Sequence, residues 1–544
     1  MKKKFLYIAL FALTLAACSE QEIIEQPSTS PEETEVQLPA DVTSGELLIK
    51  FKPEMTAILD RTMTRATRSG SAMTRSGIPS TDEVLDILGG YHFERIFPVD
   101  SRNEERTRTA GLHLWYLVKF DENTDLQQAA NRLSRLGEIS KVQGNSRIKR
   151  AYNTGNYRTY ISEAALQQKA ATRAATNSTF SDPGLQFQWH YNNTGTNPFD
   201  NPENGAESIA GCDVGCVEAW AKCKGDPSII VAVLDEGVMY THPDLKDNIW
   251  VNEQENLYSD EDNDGNGYKD DRYGYNFVTN SAIISWTDTY DTGHGTHVAG
   301  SIAAVNGNGK GVCAGGDGTA NSGVKIMSCQ VFAGQGGVTL SAEAQAIKYA
   351  ADNGAVILQC SWGYNSADAN AIDGFVPGPA TEAEWIKLYP LEKEALDYFI
   401  NNAGSPNGVI DGGIAIFASG NEYAKIPAFP SAYSKCVSVS SIAADFTPAS
   451  YTNFGTEVDI CAPGGDVQYY SQAGRGEPEY WLEENPEASG SILSTMIQNG
   501  KPAYGYMDGT SMACPHVSGV AALGLSYAVK QRRHFKADEF VKLL

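Results

Sequence analysis

A run of six apolar residues, from Ile229 to Leu234, is the feature that most constrains the fold of this chain. A strand that is apolar on both faces is typical of a parallel sheet covered by helices on each side. Comparable runs recur later in the chain, at residues 324–331, 355–360 and 414–418. Because helical stretches alternate with these runs, the sequence predicts an α/β fold with a doubly wound, mostly parallel sheet.

The composition is that of a globular protein, and it narrows the range of partners. Hydrophobic residues make up 42% of the 544 residues and charged residues 20%, which argues against a disordered or fibrous chain. The formal net charge is −25. Because a strongly acidic surface repels a phosphate backbone, we expect no nucleic-acid partner.

The N-terminus has the pattern of an export signal. Three lysines precede an apolar run that ends at Ala17 and is too short to span a bilayer as a mature helix. The segment Leu15-Ala16-Ala17-Cys18 resembles the lipobox of bacterial lipoproteins. This resemblance implies a lipoprotein signal over residues 1–18, export to the bacterial cell envelope, and a lipid on Cys18 that anchors the protein to a membrane. An ordinary signal peptide with an incidental cysteine is the alternative.

The rest of the chain divides into a tether, a small domain, a linker and a larger block. Residues 19–40 are rich in Glu, Ser, Thr and Pro and predict a flexible tether. Residues 41–150 predict a small α+β domain of β-α-β-β-α-β order, in which residues 61–77 hold few bulky apolar residues and are expected to form a mobile loop. Residues 151–178 predict a linker, and residues 179–544 contain the motifs described next.

Three motifs in the larger block contain residues used in nucleophilic catalysis. Asp235 follows the first apolar strand, at the edge of the sheet where functional carboxylates gather. His294 begins a helix of small residues, one turn before a second histidine, His297, that is expected to pack. Ser511 precedes another such helix, with Pro515 expected in its first turn. Taken singly, Asp235 is also compatible with a turn residue, His294 with a packing residue and Ser511 with a helix cap.

Together the motifs resemble the subtilisin family of serine proteases. They occur in the order Asp, His, Ser, and the matching segments fall within residues 180–544. These segments are Val233-Leu234-Asp235-Glu236-Gly237, His242-Pro243-Asp244-Leu245, Gly293-His294-Gly295-Thr296-His297, Ser361-Trp362-Gly363, Ala418-Ser419-Gly420-Asn421-Glu422 and Gly509-Thr510-Ser511-Met512-Ala513. The resemblance implies a subtilisin-like catalytic domain over residues 179–544.

The resemblance also implies a role for each catalytic residue. Ser511 is the expected nucleophile, His294 the base that takes its proton, and Asp235 the carboxylate that orients the imidazole. Asn421 is expected to donate to the oxyanion beside the backbone amide of Ser511. These roles predict a serine endopeptidase that acts on proteins or peptides. An esterase or a peptide ligase would use the same nucleophile.

Two short segments are expected to pair with an extended peptide substrate. Ser361-Trp362-Gly363 matches the family segment beside which the substrate lies as an added strand, and Gly336-Gly337 is expected at the opposite edge. Trp362 stands where the family often has leucine. Its side chain is therefore expected either to reshape an apolar subsite or simply to pack.

The small first domain resembles the propeptides of the same family, which assist folding and inhibit the enzyme through their C-terminal segment. This resemblance implies a latent precursor in which residues 41–150 act as an intramolecular inhibitor, with cleavage in or near residues 151–178. The competing interpretation is a catalytically silent lipoprotein that uses a calcium-stabilised protease scaffold to bind a partner.

An acidic loop in the larger block predicts a structural calcium site. Carboxylates there alternate around glycines, and hard oxygen ligands in that pattern suit calcium. Counted from Asp260, Gly265 is sixth; counted from Asp262, Gly267 is sixth, so the register of the loop stays open. The expected ligands are Asp260, Asp262, Asp264, Asn266, Asp270 and Asp271.

Overall fold

The structure is a computed structural model that describes most of the chain after residue 34. The described residues are 35–39, 41–69, 71–148, 158–172, 180–288, 290–312, 314–334, 336–369, 376–472 and 479–544. Val36–Leu544 belong to one compact unit. Cys18 and most of the predicted tether lie outside the described residues.

The first part of this unit has the α+β arrangement that the sequence predicts. Its antiparallel sheet has the strand order β2-β3-β1-β4. Along β1, Leu47 and Ile49 face a core formed with the helices of this part, whereas Leu48 joins a core shared with the larger block, because neighbouring side chains of a strand point to opposite faces. The elements are β1 Val42–Phe51, α1 Thr56–Ser69, α2 Pro79–Leu88, β2 His92–Arg95, α3 Glu104–Thr109, β3 Trp115–Lys119, α4 Leu126–Ser134 and β4 Ile139–Ser146.

The mobile loop predicted at residues 61–77 is wrong over its first half, because helix α1 extends to Ser69. Few residues of this helix are apolar, but Leu59 is buried and fixes it to the core. The hydroxyls of Thr62 and Thr64 donate to carbonyls one turn earlier, so they are satisfied within the helix. The low content of bulky apolar residues therefore did not exclude a helix.

The larger block is built on the doubly wound sheet that the sequence predicts. Its strands follow the order β14-β13-β12-β10-β6-β8-β7 and are parallel along this path, and β9 pairs antiparallel with β8. The elements are β5 Arg158–Ile161, α5 Glu163–Thr172, α6 Cys216–Trp220, β6 Ile230–Glu236, β7 Gly274–Asn276, α7 His294–Ala303, β8 Lys325–Ala333, β9 Gly336–Gly337, α8 Leu340–Asp352, β10 Ile357–Cys360, α9 Glu382–Leu388, α10 Pro390–Asn402, β11 Ile410–Asp411, β12 Ile414–Ala418, β13 Val437–Ile442, β14 Ile460–Pro463, α11 Glu479–Glu484, β15 Ile492–Gln498, β16 Lys501–Met507, α12 Thr510–Lys530, β17 Phe535–Lys536 and α13 Ala537–Val541.

The apolar run of β6 is explained by helices on both faces of the sheet. Ala232 and Leu234 belong to the core that contains buried residues of α8 and α10. Val231 and Val233 belong to the core that contains buried residues of α7 and α12. Both faces of the strand are therefore covered by helices, which confirms the α/β fold class.

Part of the segment predicted as a linker is folded. Strand β5 pairs antiparallel with β16, so that Arg158 lies opposite Met507 and Ile161 opposite Tyr504. In α5, Leu166 is fully buried against residues of the larger block. Residues 158–172 therefore pack as part of the larger block, and residues 149–157 and 173–179 lie outside the described residues.

Helix α12 begins earlier than the sequence predicts, so Pro515 lies inside it and not in its first turn. Proline has no N–H to donate to the carbonyl four residues earlier, which is that of Ser511. The Ser361 hydroxyl donates to this carbonyl at 2.9 Å and replaces the missing bond. The proline therefore leaves an acceptor at the start of α12 that ties the helix to the end of β10.

Among the residues that the structure describes, α12 is the one helix long and apolar enough to cross a membrane. Its apolar stretch is 67% buried inside the protein, and a core helix of a soluble protein meets the same criteria of length and composition.

Helix α7 approaches β6 closely because its second residue is glycine. A Cβ atom at Gly295 would lie 2.2 Å from the carbonyl oxygen of Glu236 and 3.3 Å from the Cβ of Asp235. Any side chain at this position would push the helix away from the strand. The small residues at the start of α7 thus set the distance between His294 and the end of β6.

Helices α8 and α10 bury a pair of carboxyl groups between them. Glu343 and Glu392 are both fully buried, and Glu392 accepts hydrogen bonds from the Nε1 of Trp385 at 2.6 Å and the hydroxyl of Tyr364 at 3.3 Å. Burial, and then the neighbouring carboxyl, raises the pKa of Glu343 well above its ordinary value. Burial also raises the pKa of Glu392, to about 7.

This pair predicts a loss of stability as the pH rises. A carboxyl whose pKa is raised by folding stabilises the folded state most below its unfolded pKa, and that contribution is lost as the pH rises through about 7. Urea unfolding at about pH 5 and about pH 8 should show this loss in the wild type and a smaller loss in the E343Q/E392Q variant, by up to about 1.4 kcal/mol per pH unit for each carboxyl.

The control for this comparison is E207Q, because Glu207 is exposed and its substitution removes one carboxyl without changing the buried pair. This variant should keep the pH dependence of the wild type. The same pH dependence in E343Q/E392Q as in the wild type would contradict the prediction.

Candidate active site

Asp235 and His294 form a hydrogen-bonded pair at the end of β6. His294 is the first residue of α7, and both side chains are only 1% exposed. The Nδ1 atom of the imidazole lies 2.8 and 2.9 Å from the two carboxylate oxygens. Because a carboxylate only accepts hydrogen bonds, Nδ1 carries the proton, and Nε2 is the basic nitrogen of the neutral ring.

Ser511 reaches the same edge of the sheet through the start of α12. Its hydroxyl donates to the backbone carbonyl of Ser361 at 3.2 Å. Ser361 follows Cys360, the last residue of β10, which is in register with Leu234 on β6. The parallel pairing of these two strands therefore brings the three predicted catalytic residues to one edge of the sheet.

Asn421 and the backbone amide of Ser511 face the space beside Gly509. The Oδ1 of Asn421 accepts the N–H and the hydroxyl of Thr510, both at 2.9 Å, and these bonds orient the side-chain amide. Its Nδ2 is buried and has no hydrogen-bond partner among the residues described. A Cβ atom at Gly509 would lie 3.5 Å from the Ser511 nitrogen and 3.7 Å from this Nδ2. Two N–H donors so placed can hold an oxyanion.

The indole of Trp362 packs in the core and does not line a subsite. It is 1% exposed, donates to the carbonyl of Leu234 at 2.9 Å, and meets the rings of Phe332 and Phe417 edge-on. Of the two expectations for this side chain, the structure supports packing. Trp362 can therefore contact a bound peptide only through its backbone.

The second predicted substrate edge, Gly336–Gly337, lies against the end of the first domain. Its strand β9 pairs antiparallel with the end of β8. Ile148 donates its N–H to the carbonyl of Val338 at 3.0 Å, and a Cβ atom at Gly337 would lie 2.2 Å from the carbonyl oxygen of Ile148. Glycine at this position therefore permits the close contact between the two chain segments.

The acidic loop brings together a different set of carboxylates from the predicted one. Glu255, Asp262 and Asp264 each offer an oxygen, and these oxygens all lie within 4.8 Å of one another. Like charges this close repel one another unless a cation or a proton compensates, and three hard oxygen donors suit calcium. The residues therefore fit a cation. Glu255 was missed because it lies outside the repeated pattern of the loop.

The other three predicted carboxylates do not belong to this cluster. Asp260 is 90% exposed and pairs with Lys269 at 3.0 Å. Asp270 accepts the N–H and the hydroxyl of Ser259, both at 2.8 Å. Asn266 donates to Asp271 at 2.8 Å, and Asp271 also accepts the hydroxyl of Tyr349 at 2.7 Å. Two of the six predicted ligands, Asp262 and Asp264, thus lie in this cluster, together with Glu255.

Comparisons with known proteins find serine proteases similar to this chain. The thermophilic serine proteinase of Bacillus sp. (strain AK1) is 28% identical over 414 residues, which cover 75% of this chain and 76% of that protein. Halolysin from Haloferax mediterranei is 29% identical over 327 residues, which cover 60% of this chain and 47% of halolysin. The chain thus spans about half the length of halolysin.

A solved structure shares the fold over nearly the whole chain. The epidermin leader peptide processing serine protease from Staphylococcus aureus superposes with a TM-score of 0.52 at 19% identity, and the match covers 92% of each chain. At this identity the likeness shows the fold alone.

A profile of the subtilase family matches residues 226–540, which is more than half of the chain. The matched region begins just before β6 and ends within α13. It therefore includes Asp235, His294, Ser361, Asn421 and Ser511, which lie at one edge of the sheet. This chain therefore belongs to the subtilase family of serine proteases.

Proposed function

We propose that this chain is an exported, membrane-anchored serine endopeptidase made as a latent precursor. The observation that carries the proposal is the pairing of His294 with both oxygens of Asp235 at the edge where Ser511 contacts Ser361. A histidine held in one tautomer and a serine hydroxyl at the same edge of the sheet are the groups that nucleophilic catalysis needs.

In the proposed reaction the Ser511 hydroxyl gives up its bond to Ser361 and donates to the Nε2 of His294. The oxygen attacks the peptide carbonyl carbon as His294 takes the proton, and Asp235 stabilises the imidazolium that results. His294 then donates the proton to the leaving amine. Water attacks the acyl-enzyme as His294 takes its proton, and His294 returns that proton to the Ser511 oxygen as the bond to it breaks and the acid product leaves.

The oxyanion of each tetrahedral intermediate is held by the Nδ2 of Asn421 and the backbone N–H of Ser511. The two bonds from Thr510 to the Oδ1 of Asn421 hold the donor in place before the charge appears, so little reorganisation is needed during the reaction. The residue before Thr510 has φ +149°, in a region that favours glycine, and a side chain there would enter the same space.

Substrate peptides are proposed to bind as an added strand between Ser361-Trp362-Gly363 and Gly336-Gly337. The support is the contact of Ile148 with residues 337 and 338, in which an extended segment of this chain already lies along that edge. Main-chain hydrogen bonds of this kind bind peptides with little dependence on sequence.

The first test is labelling of the processed protein with a fluorophosphonate probe. The wild type should label and the S511A variant should not, because the probe reacts with an activated serine. S526A, which removes another buried serine of α12, should label like the wild type. N421A should lose about 100- to 1000-fold in kcat, the size reported for one oxyanion donor in a subtilisin.

A processed wild type that does not label would favour the catalytically silent binding lipoprotein. Digestion of a peptide library would separate an endopeptidase from an esterase or a ligase, since only the first should cut internal peptide bonds.

Latency is proposed to come from the first domain, which caps two helices beside the substrate edge. The Oδ1 of Asn145 accepts the N–H of Ser341 at the start of α8, at 3.1 Å. The Oε1 of Gln143 accepts the N–H of Leu391 at the start of α10, at 2.9 Å. These side chains satisfy helix N–H groups that have no partner within their own helices. Docking of the first domain in this way keeps Ile148 on the substrate edge.

Cleavage of the precursor is proposed to fall between residues 148 and 158. Ile148 lies on the substrate edge, whereas Arg158 pairs with Met507 and donates to the carbonyl of Thr292 at 3.1 Å, near Ser511 and His294 respectively. The two described ends of this segment thus contact the substrate edge and the carbonyl of Thr292, two residues before His294. This narrows the predicted range of residues 151–178, because residues 158–172 pack on the larger block.

Mass spectrometry of the membrane fraction tests processing and anchoring together. The wild type should yield a catalytic fragment that begins within residues 149–158 and retains residues 158–172. The S511A chain should stay uncleaved and begin at a lipidated Cys18, and C18S should leave the membrane fraction.

A fully active chain without this cleavage, or a new N-terminus beyond residue 172, would contradict the proposed processing. Retention of C18S on the membrane would contradict the proposed anchor.

A structural calcium ion is proposed to bind Glu255, Asp262 and Asp264. The ion would neutralise three carboxylates that otherwise repel one another and would stabilise the loop that contains them. In the precursor, Arg102 of the first domain lies 3.0 Å from Asp264 and offsets part of this charge. The contribution of the ion should therefore be larger after the first domain has left.

Chelation should lower the Tm of the processed protein, and added calcium should restore it, because bound ligand stabilises the folded state. D262N should remove this difference. D260N should keep it, because the structure places Asp260 outside the cluster. An unchanged melt together with no metal bound in calcium-replete protein would refute the site.

A further inference from the structure

Glu236 directly follows Asp235, and its carboxylate is buried at the turn that leads into α7. Its two oxygens accept the N–H of Thr292 at 3.1 and 3.0 Å, and one of them also accepts the Thr292 hydroxyl at 3.1 Å. The other accepts the N–H of His294 at 3.0 Å. This carboxylate therefore holds the backbone of the residue whose ring Asp235 holds.

A shift in strand register explains how two consecutive side chains reach the same helix. In a regular strand their side chains would point to opposite faces of the sheet. β6 pairs Asp235 with Gln330 but Glu236 with Phe332, so an irregularity falls between the two acids. Irregularities of this kind beside active sites re-aim a side chain. Here the irregularity lets both carboxylates meet the start of α7.

We propose that Glu236 is a positioning residue for catalysis, a role that rests on the proposed endopeptidase function. It fixes the backbone of the turn from Thr292 to His294, so that the imidazole can interact with Asp235 and with Ser511 at the same time. Its buried negative charge also favours the imidazolium that forms when His294 takes a proton. A residue that only capped α7 would need no charge, because a neutral acceptor can fill that role.

Two of the other titratable groups around this turn are neutral, so they neither add to nor offset the charge of Glu236. Burial lowers the pKa of His297 to about 3 and raises that of Cys514 to about 12, so both are neutral over the working range of a histidine base. Arg158 is the cation that contacts the turn, through the carbonyl of Thr292. Among the residues that the structure describes, the titratable and charged groups around the turn include Asp235 on β6, His294 and His297 on α7, Asp288 and Asp291 before the turn, Arg158 on β5, and the thiols of Cys360 and Cys514, whose pKa values burial and then the charge of Asp235 raise.

The test compares E236Q, E236D and T292A in the processed enzyme, with peptide hydrolysis measured from about pH 5 to about pH 10. E236Q keeps the size of the side chain and loses its charge. Its kcat should fall about 10- to 100-fold with a smaller change in KM, since misplaced catalytic groups cost rates of this size. The acid limb of its kcat/KM profile should move to lower pH, because the imidazolium loses a stabilising charge.

T292A is the matched control, because it removes one hydroxyl donor to the same carboxylate and keeps the charge. Its acid limb should coincide with that of the wild type, even where its Tm is lower. Wild-type kcat and an unmoved acid limb in E236Q would overturn the proposal. Equal losses of Tm in E236Q and T292A with no change in kcat would do the same, because they would indicate a helix cap alone.

If E236Q does not fold, E236D provides the second variant for the same measurement. It retains the charge but retracts the carboxylate by one methylene, so the expected result is a lower kcat with the acid limb in place, and wild-type activity would overturn the proposal. Fluorophosphonate labelling separates the two levels of failure. A wild type that does not label refutes the proposed endopeptidase. A wild type that labels and is active, together with an E236Q variant of the same kcat and acid limb, refutes only the role of Glu236.

Discussion

The contact between β6 and the start of α7 is the constraint on which the proposed catalytic arrangement depends. Gly295 permits this contact, because a Cβ atom there would collide with the carbonyl oxygen of Glu236. With the helix this close, one strand end can hold His294 by its ring through Asp235 and by its backbone through Glu236. Ser511 and Asn421 reach the same edge through neighbouring segments, because the carboxyl ends of the parallel strands lie together there.

The sequence predicts this edge well because its signals are local. An apolar run followed by Asp235, glycines around His294 and a small-residue helix after Ser511 each follow from rules about strands and helix starts. Family resemblance then orders them into one site. The sequence does not predict the register shift between Asp235 and Glu236, since that depends on how β8 pairs with β6.

The differences from the sequence predictions share a physical cause, which is that they depend on side-chain contacts that the local sequence pattern does not specify. The acidic loop had enough carboxylates for several registers, and the cluster formed around Glu255 because its side chain accepts the N–H groups of Asn263 and Asp264. Pro515 was expected in a first turn, but α12 extends further towards the N-terminus because Ser361 supplies the hydrogen bond that proline cannot. Ser361 lies 150 residues before Ser511 in the sequence, whereas Glu255 lies only eight residues before Asn263 but outside the repeated pattern of the loop.

The proposed anchor and the proposed active site lie on opposite sides of the proposed cleavage point. Once the chain is cut, the catalytic part is held to the lipidated part by non-covalent contacts alone. Some of these are charged, such as Lys50 and Lys141 with Glu394, and salt weakens partly exposed pairs of this kind. Others are apolar, because Leu48 and Trp115 are buried in the core shared with the larger block. Salt does not screen apolar burial, so the time that the cleaved enzyme spends at the membrane is governed mainly by that buried surface.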